Sequence, residues 1–257
     1  MLALLVVACG LFGLAVGSFL NVVIYRVPAG LSVVKPRSRC PGCETQLAER
    51  DNIPVLSWLL LKGRCRTCDM PISARYPLVE ALTAALFVAI ALRFGADWAL
   101  PAFLVLTAGL IALSFIDLDT FLLPRKIIYV LGGLGVALLG LATIADNKPD
   151  QAVEAGLGAL IAFGLLFLIH FISPKGMGFG DVRLSALLGL HLGWLDLPLV
   201  FVGLFASFLL ASVVGIGLIV TGIKGRKDRV PFGPFLAAGT ILTVFVGPWV
   251  VRAYPLF

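Results

Sequence analysis

Two stretches far apart in the chain hold the side chains best suited to chemistry. One is Gly176-Met177-Gly178-Phe179-Gly180-Asp181, a glycine-rich turn ending in a carboxylate; the other is Ile116-Asp117-Leu118-Asp119, which closes a long apolar run. Both border segments apolar enough for a bilayer, where an ionisable side chain is expensive and marks function. Asp117 and Asp181 form a candidate pair. Two carboxyl groups a few ångströms apart cannot both ionise, so they share one proton and can activate a water while protonating a leaving amine. That is the chemistry of peptide hydrolysis. Gly178 and Gly180 are expected to permit positive φ and let a substrate backbone approach closely. The helix dipole favours charge on Asp181, at the start of its segment, and disfavours it on Asp117, at the end of its own. Other catalytic patterns are missing: there is no His-Glu-x-x-His, and no serine near His170 is marked as a nucleophile.

A second constellation is Cys40-Pro41-Gly42-Cys43 and Cys65-Arg66-Thr67-Cys68, separated by residues 44–64. Two Cys-x-x-Cys knuckles place four thiolates tetrahedrally around one zinc ion, and the gap is one residue longer than the common ribbon spacing. Four cysteines leave no open coordination position, so this metal is structural. The loop is too poor in apolar residues to fold alone, and metal binding would supply its stability. A pair of disulfides is the rival reading, disfavoured if the loop faces the reducing cytosol.

The elements that must position these residues are membrane helices. The 257 residues are 60% hydrophobic and 13% charged, against roughly half and a quarter in soluble domains. Apolar runs of spanning length lie near 2–25, 78–94, 98–116, 126–145, 152–173, 182–195, 197–222 and 231–252. The expectation is an all-α polytopic membrane protein of about eight transmembrane helices, with a zinc-ribbon-like loop between the first two. This divides the chain into a first span (1–25), a cytoplasmic zinc-binding loop with its four cysteines (26–77) and a core (78–257). Threaded this way, Arg93, Lys148 and Arg252 fall on one side and every other Lys and Arg on the opposite one. Basic residues collect on the cytoplasmic side of short loops, so both termini are expected outside, with Asp117, Asp181 and the cysteine loop at the cytoplasmic face. The net charge of +6 is thereby explained by topology and anionic lipid, with Lys224–Arg229 an anchor; no nucleic-acid partner is expected.

Other polar positions have two readings each. Glu80, just inside the second span, is either a snorkelling or paired carboxylate or part of the site. Asn21 suits helix packing or a place beside the substrate. His170 and His191 read as hydrogen-bonded core histidines, Cys9 as a buried thiol, and Gly132-Gly133-Leu134-Gly135 as close helix packing. Pro231-Phe232-Gly233-Pro234-Phe235 is a broken helix start able to leave carbonyls lining a cavity.

Taken in order, Gly17-Ser18-Phe19-Leu20-Asn21-Val22-Val23-Ile24-Tyr25-Arg26, the two cysteine pairs, Arg75-Tyr76-Pro77-x-x-Glu80, Phe115-Ile116-Asp117-Leu118-Asp119 with Pro124, Gly176 to Asp181, and Pro231 to Phe235 resemble the type IV prepilin peptidases, membrane aspartyl proteases of the Gly-x-Gly-Asp class. The resemblance covers almost the whole chain. It implies cleavage of the basic leader of prepilins or pseudopilins, after a glycine, at the cytoplasmic membrane face. It also implies N-methylation of the new amino terminus with S-adenosylmethionine, and service to type IV pilus or type II secretion systems in the bacterial inner membrane. The family's catalytic aspartates map to Asp117 and Asp181, with Asp119 the competitor for the first. Arg125 departs from the acidic or amide residue often found after the proline. Two other classes fit parts of the pattern: a transporter with a zinc knuckle, and a secretion-machine scaffold that binds prepilins without cutting them.

Overall fold

A computed structural model of the chain describes residues 1–174, 176–225 and 228–253; Lys175, Arg226 and Lys227, counted above among the cytoplasmic cations, lie outside the described residues. In chain order the helices are α1 (Leu2–Arg26), α2 (Leu56–Leu60), α3 (Arg75–Phe94), α4 (Leu100–Thr120), α5 (Arg125–Ala145), α6 (Pro149–Ile172), α7 (Phe179–Leu195), α8 (Pro198–Val220) and α9 (Gly233–Ala253). Among the described residues there is no strand, only two isolated bridges in the loop after α1. A backbone in hydrocarbon must satisfy its own hydrogen bonds, and the helix does so within one segment.

Seven of these helices are long and apolar enough to cross a membrane. The long helix outside that set is α7, with 17 residues, about 26 Å at 1.5 Å per residue and at the short limit for a span. Seven helices, where eight were expected, therefore qualify on their own. The reason is visible in α7, whose Val182, Leu184, Leu187, Leu188, Leu192 and Trp194 are all buried. It is wrapped by protein, so lipid thickness does not dictate its length. The helices also overrun the apolar limits, because polar residues such as Arg26, Arg75 and Pro149–Asp150 continue the helix at its ends.

The chain divides into two compact units, Met1–Ala96 and Asp97–Phe257. In the first, α1 lies on α3 along glycines. A β-carbon on Gly17 would stand 2.6 Å from Cα of Glu80, and one on Gly13 2.8 Å from Cα of Ala84. Small residues at that spacing let two membrane helices approach closely. The intervening loop holds two knuckles of one design. Cys40 N–H donates to Thr45 O and Glu44 N–H to Cys40 O; Cys65 N–H donates to Met70 O and Asp69 N–H to Cys65 O. Glu44 and Asp69 both adopt positive φ, 55° and 59°. The forked guanidinium of Arg66 binds both oxygens of Asp51 and holds that carboxyl below its usual range.

In the second unit α6 and α7 meet at backbone contact, Gly158 against Gly189 and Gly193, and Gly239 of α9 rests on Ser207 of α8. Some polar side chains are satisfied across helix contacts. Ser185 Oγ donates to Ala162 O at 3.1 Å, and Trp194 Nε1 donates to Thr143 Oγ1 at 2.9 Å.

Candidate active site

The last turn of α4 carries Asp117. The helix ends when Phe121 turns left-handed (φ 54°) and donates its N–H to Asp117 O at 2.9 Å; Leu123 follows, and Pro124 caps the start of α5. Asp117 is only 5% exposed, whereas Asp119, two residues on, faces outward. The Asp117 side chain accepts a hydrogen bond from the backbone N–H of Gly233, the first residue of α9, at 2.9 Å.

Asp181 lies in the first turn of α7 and is 8% exposed. Its own N–H donates to Gly178 O at 3.1 Å, and its carboxylate lies close enough to Asp117 for the two charges to interact. Leu123 links the three chain segments. A β-carbon on Gly180 would stand 3.0 Å from Leu123 Cβ, and one on Gly233 would stand 3.1 Å from Leu123 Cδ2 and 2.8 Å from Asp117 Oδ2. The end of α4, the start of α7 and the start of α9 thus converge, bringing together two acids that lie 64 positions apart in sequence.

Two expectations are corrected here. Gly178 and Gly180 do not use positive φ; Gly178 is extended at φ −70°, ψ 144°, and the positive-φ glycines are Gly30, Gly63, Gly95 and Gly222. The glycines supply room instead, for Leu123 at Gly180 and for the Asp181 carboxylate at Gly178. Second, the start of α9 gives Asp117 the Gly233 amide. Because that amide belongs to a helix N-terminus, both acids face a positive dipole end, and the dipole of α4 no longer distinguishes them.

Side chains beyond the two acids support this arrangement. His170 Nδ1 donates to Met177 O at 2.8 Å, fastening the glycine turn to α6, and its ring lies 5.4 Å from that of Phe179. The Arg183 guanidinium covers the other partner, 4.5 Å above the Phe179 ring. His191 is fully buried, with Nδ1 hydrogen-bonded to Leu187 O at 2.9 Å.

In the first unit, Glu80 is buried and its Oε2 accepts the Val55 N–H at 2.7 Å. Asn21 Nδ2 donates to Tyr76 O at 3.1 Å. Glu80 therefore joins the loop to α3, and Asn21 joins α1 to α3. The four cysteines form one cluster able to hold a metal ion, their sulfurs all within 4.8 Å of one another. Cys40 and Cys68 sulfurs are 3.7 Å apart and those of Cys43 and Cys65 4.0 Å, twice a disulfide bond length of about 2.0 Å. Hydrogen bonds from the Thr45 side chain and backbone hold the Cys43 thiol down at about 6. The Met70 amide favours a thiolate at Cys68, but desolvation and the three neighbouring sulfurs push it up to about 12. Four thiolates so close coexist only around a cation.

Residues 11–94 match the bacterial peptidase A24 N-terminal domain, and residues 104–220 match the type IV leader peptidase family. A prepilin leader peptidase/N-methyltransferase from Aeromonas hydrophila is 41% identical over 271 residues, covering 95% of this chain and 91% of that protein. The chain belongs to the type IV leader peptidase family. A prepilin leader peptidase/N-methyltransferase of Pseudomonas aeruginosa is 36% identical across 96% of this chain and 92% of its own length. A type 4 prepilin-like proteins leader peptide-processing enzyme of Escherichia coli is 40% identical, with 91% of each chain covered. No solved structure matches. Asp117 and Asp181 both fall within the leader peptidase match, and the four cysteines within the N-terminal one. Membership and the seven apolar helices make this a multi-pass inner-membrane enzyme.

Proposed function

We propose that the chain is an aspartyl endopeptidase that removes the leader of type IV prepilins or pseudopilins, with Asp117 and Asp181 as its catalytic pair, and that it N-methylates the amino terminus it creates. The observation that carries the reading is the convergence of two buried, mutually interacting carboxylates beside the Gly233 amide. Such a pair holds one proton. One carboxylate takes a proton from water as the water oxygen adds to the scissile carbonyl carbon, while the protonated partner donates to the carbonyl oxygen. On collapse a proton passes to the leaving nitrogen, the C–N bond breaks, and the diol returns a proton to the pair. The Gly233 amide fixes one oxygen of Asp117, leaving the other for water and substrate. Room at Gly178 and Gly180 lets the extended cleavage segment lie against the turn. Glu80 and Asn21 would act on the substrate only indirectly, through the loop that Glu80 holds and the α1–α3 contact that Asn21 holds.

In this reading α7 counts as a crossing. The eight crossings then leave both termini outside and the dyad at the cytoplasmic face, where a prepilin presents its cleavage point after an apolar helix lodged in the lipid. Residues 1–25 are the first span, 26–77 the cytoplasmic metal-bound loop and 78–257 the protease core. The loop metal is zinc, held by Cys40, Cys43, Cys65 and Cys68. Tetrahedral bonds of about 2.3 Å separate sulfurs by about 3.8 Å, and the two measured separations bracket that value.

Methylation requires S-adenosylmethionine, which supplies an electrophilic methyl group to the freed amine. The chain has a donor set for it. A cavity of about 290 Å³ at the carboxyl end of α1 is lined by Arg37, Gln46, Glu49 and Asn52 beside Val22 and Leu47. A guanidinium suits the ligand's carboxylate, a carboxylate its ribose hydroxyls, and an amide with apolar walls its adenine. Incubating the purified protein with a prepilin, with and without S-adenosylmethionine, and weighing the product's amino terminus tests both activities. Intact prepilin in both samples would refute the peptidase reading; cleavage without added methyl mass would refute only the second activity.

A further inference from the structure

The loop between α1 and α3 contains an apolar segment that the catalytic reading does not use. Ile53, Leu56, Leu59 and Leu60 are 46%, 49%, 58% and 73% exposed. They surround the short helix α2, whose other side is committed inward: Trp58 Nε1 donates to Ile72 O at 3.0 Å, and its ring lies under Gly63. The segment is thus a folded unit with one packed side and one bare apolar side. Solvated loop tips rarely keep such a patch uncovered.

Its position says what covers it. Val55, the residue before α2, gives its N–H to Glu80 Oε2 at 2.7 Å and sits at φ 61°, a conformation costly for a β-branched residue. Glu80 is the sixth residue of α3, about 7.5 Å along the axis from Arg75 at 1.5 Å per residue. With Arg75 at the headgroup boundary, α2 is latched no deeper than that below it. This is the depth, about 5–10 Å, at which amphipathic interfacial segments rest their apolar face. Arg50 and Lys62 bracket the segment, placing cations where anionic headgroups attract them. The loop is tied to α3 at this point by Glu80, and α3 is in turn tied to α1 by the Asn21 bond to Tyr76 O.

We propose that Ile53–Leu60 is a membrane-docking element, held by the Glu80–Val55 latch so that Ile53, Leu56, Leu59 and Leu60 enter the headgroup–acyl boundary of an anionic bilayer. The metal knuckles are then carried on the membrane surface, not at the end of a free cytosolic loop.

The test places a photoreactive benzophenone amino acid at position 60 or, as control, at Glu44 in the knuckle. The full-length protein is reconstituted in vesicles of phosphatidylethanolamine and phosphatidylglycerol, irradiated, and examined by mass spectrometry. Position 60 should yield lipid adducts at least tenfold more often than position 44. Cross-links from position 60 to protein, within the chain or to a second copy, or a lipid yield no higher than at position 44, would overturn the proposal. The latch is tested separately by Glu80→Ala, which should lower the lipid yield at position 60 several-fold; an unchanged yield would overturn its role.

Discussion

Gly233→Ala is a small change aimed at the hydrogen bond that holds Asp117, one of the two proposed catalytic acids. The backbone N–H survives, but the new methyl would stand 2.8 Å from Asp117 Oδ2, 3.3 Å from its Cγ and 3.1 Å from Leu123 Cδ2. The carboxyl group must therefore swing off the amide, and Leu123, which also fills the space at Gly180, cannot retreat freely. Losing a hydrogen bond to a charged group costs about 1.5–3 kcal/mol, which corresponds to about 10- to 150-fold in rate if the loss is felt in the transition state. Folding should hardly suffer, because alanine is the better helix former by about 1 kcal/mol. The expected outcome is prepilin cleavage slowed by one to two orders of magnitude with the melting temperature within a few degrees of the parent. Measured on purified protein in detergent, a parental turnover would refute the idea that the Gly233 amide positions Asp117.

Further outcomes follow from the same geometry. Gly180→Val should impair cleavage by driving a branched side chain into Leu123, with apparent KM rising along with any fall in turnover if the turn also receives substrate; parental kinetics would remove the crowding argument. His170→Phe loses the bond to Met177 O, worth about 0.5–1.5 kcal/mol, so turnover should drop at most about tenfold and His170→Asn should restore part of it; equal loss in both variants would count against a positioning role. Cys68→Ser, or stripping the protein with a chelator, should lower zinc from about one ion per chain and expose residues 26–77 to limited proteolysis; a loop equally resistant without metal would show that the cysteines do not hold it.

The helices were legible because hydrocarbon forces a simple pattern: a run of apolar residues long enough to cross, with polar residues at its ends. The four-cysteine cluster was legible for a similar reason, since Cys-x-x-Cys fixes geometry locally. Asp117 and Asp181 stood out as acids at helix ends, and the structure buries both. What escaped was set by partners distant in sequence. Nothing around Gly233 announces that its amide meets Asp117, 116 residues away. Gly178 and Gly180 were singled out for the wrong property, because a glycine spared a neighbour's side chain looks the same in sequence as one with positive φ. The shortness of α7 reflects enclosure by protein, and the partner of Glu80 is a backbone amide in a loop 25 residues upstream; neither is written in local periodicity.

The central claim is that Asp117 and Asp181 work as one catalytic unit. Residues that act together lose their contribution together, so turnover of a purified prepilin by Asp117→Asn, Asp181→Asn and the double variant tests it most directly. The account predicts that each single change lowers turnover at least about a thousandfold in a folded protein and that the double variant is no worse than either. A single variant retaining a few per cent of the activity, or losses that multiply in the double, would contradict it.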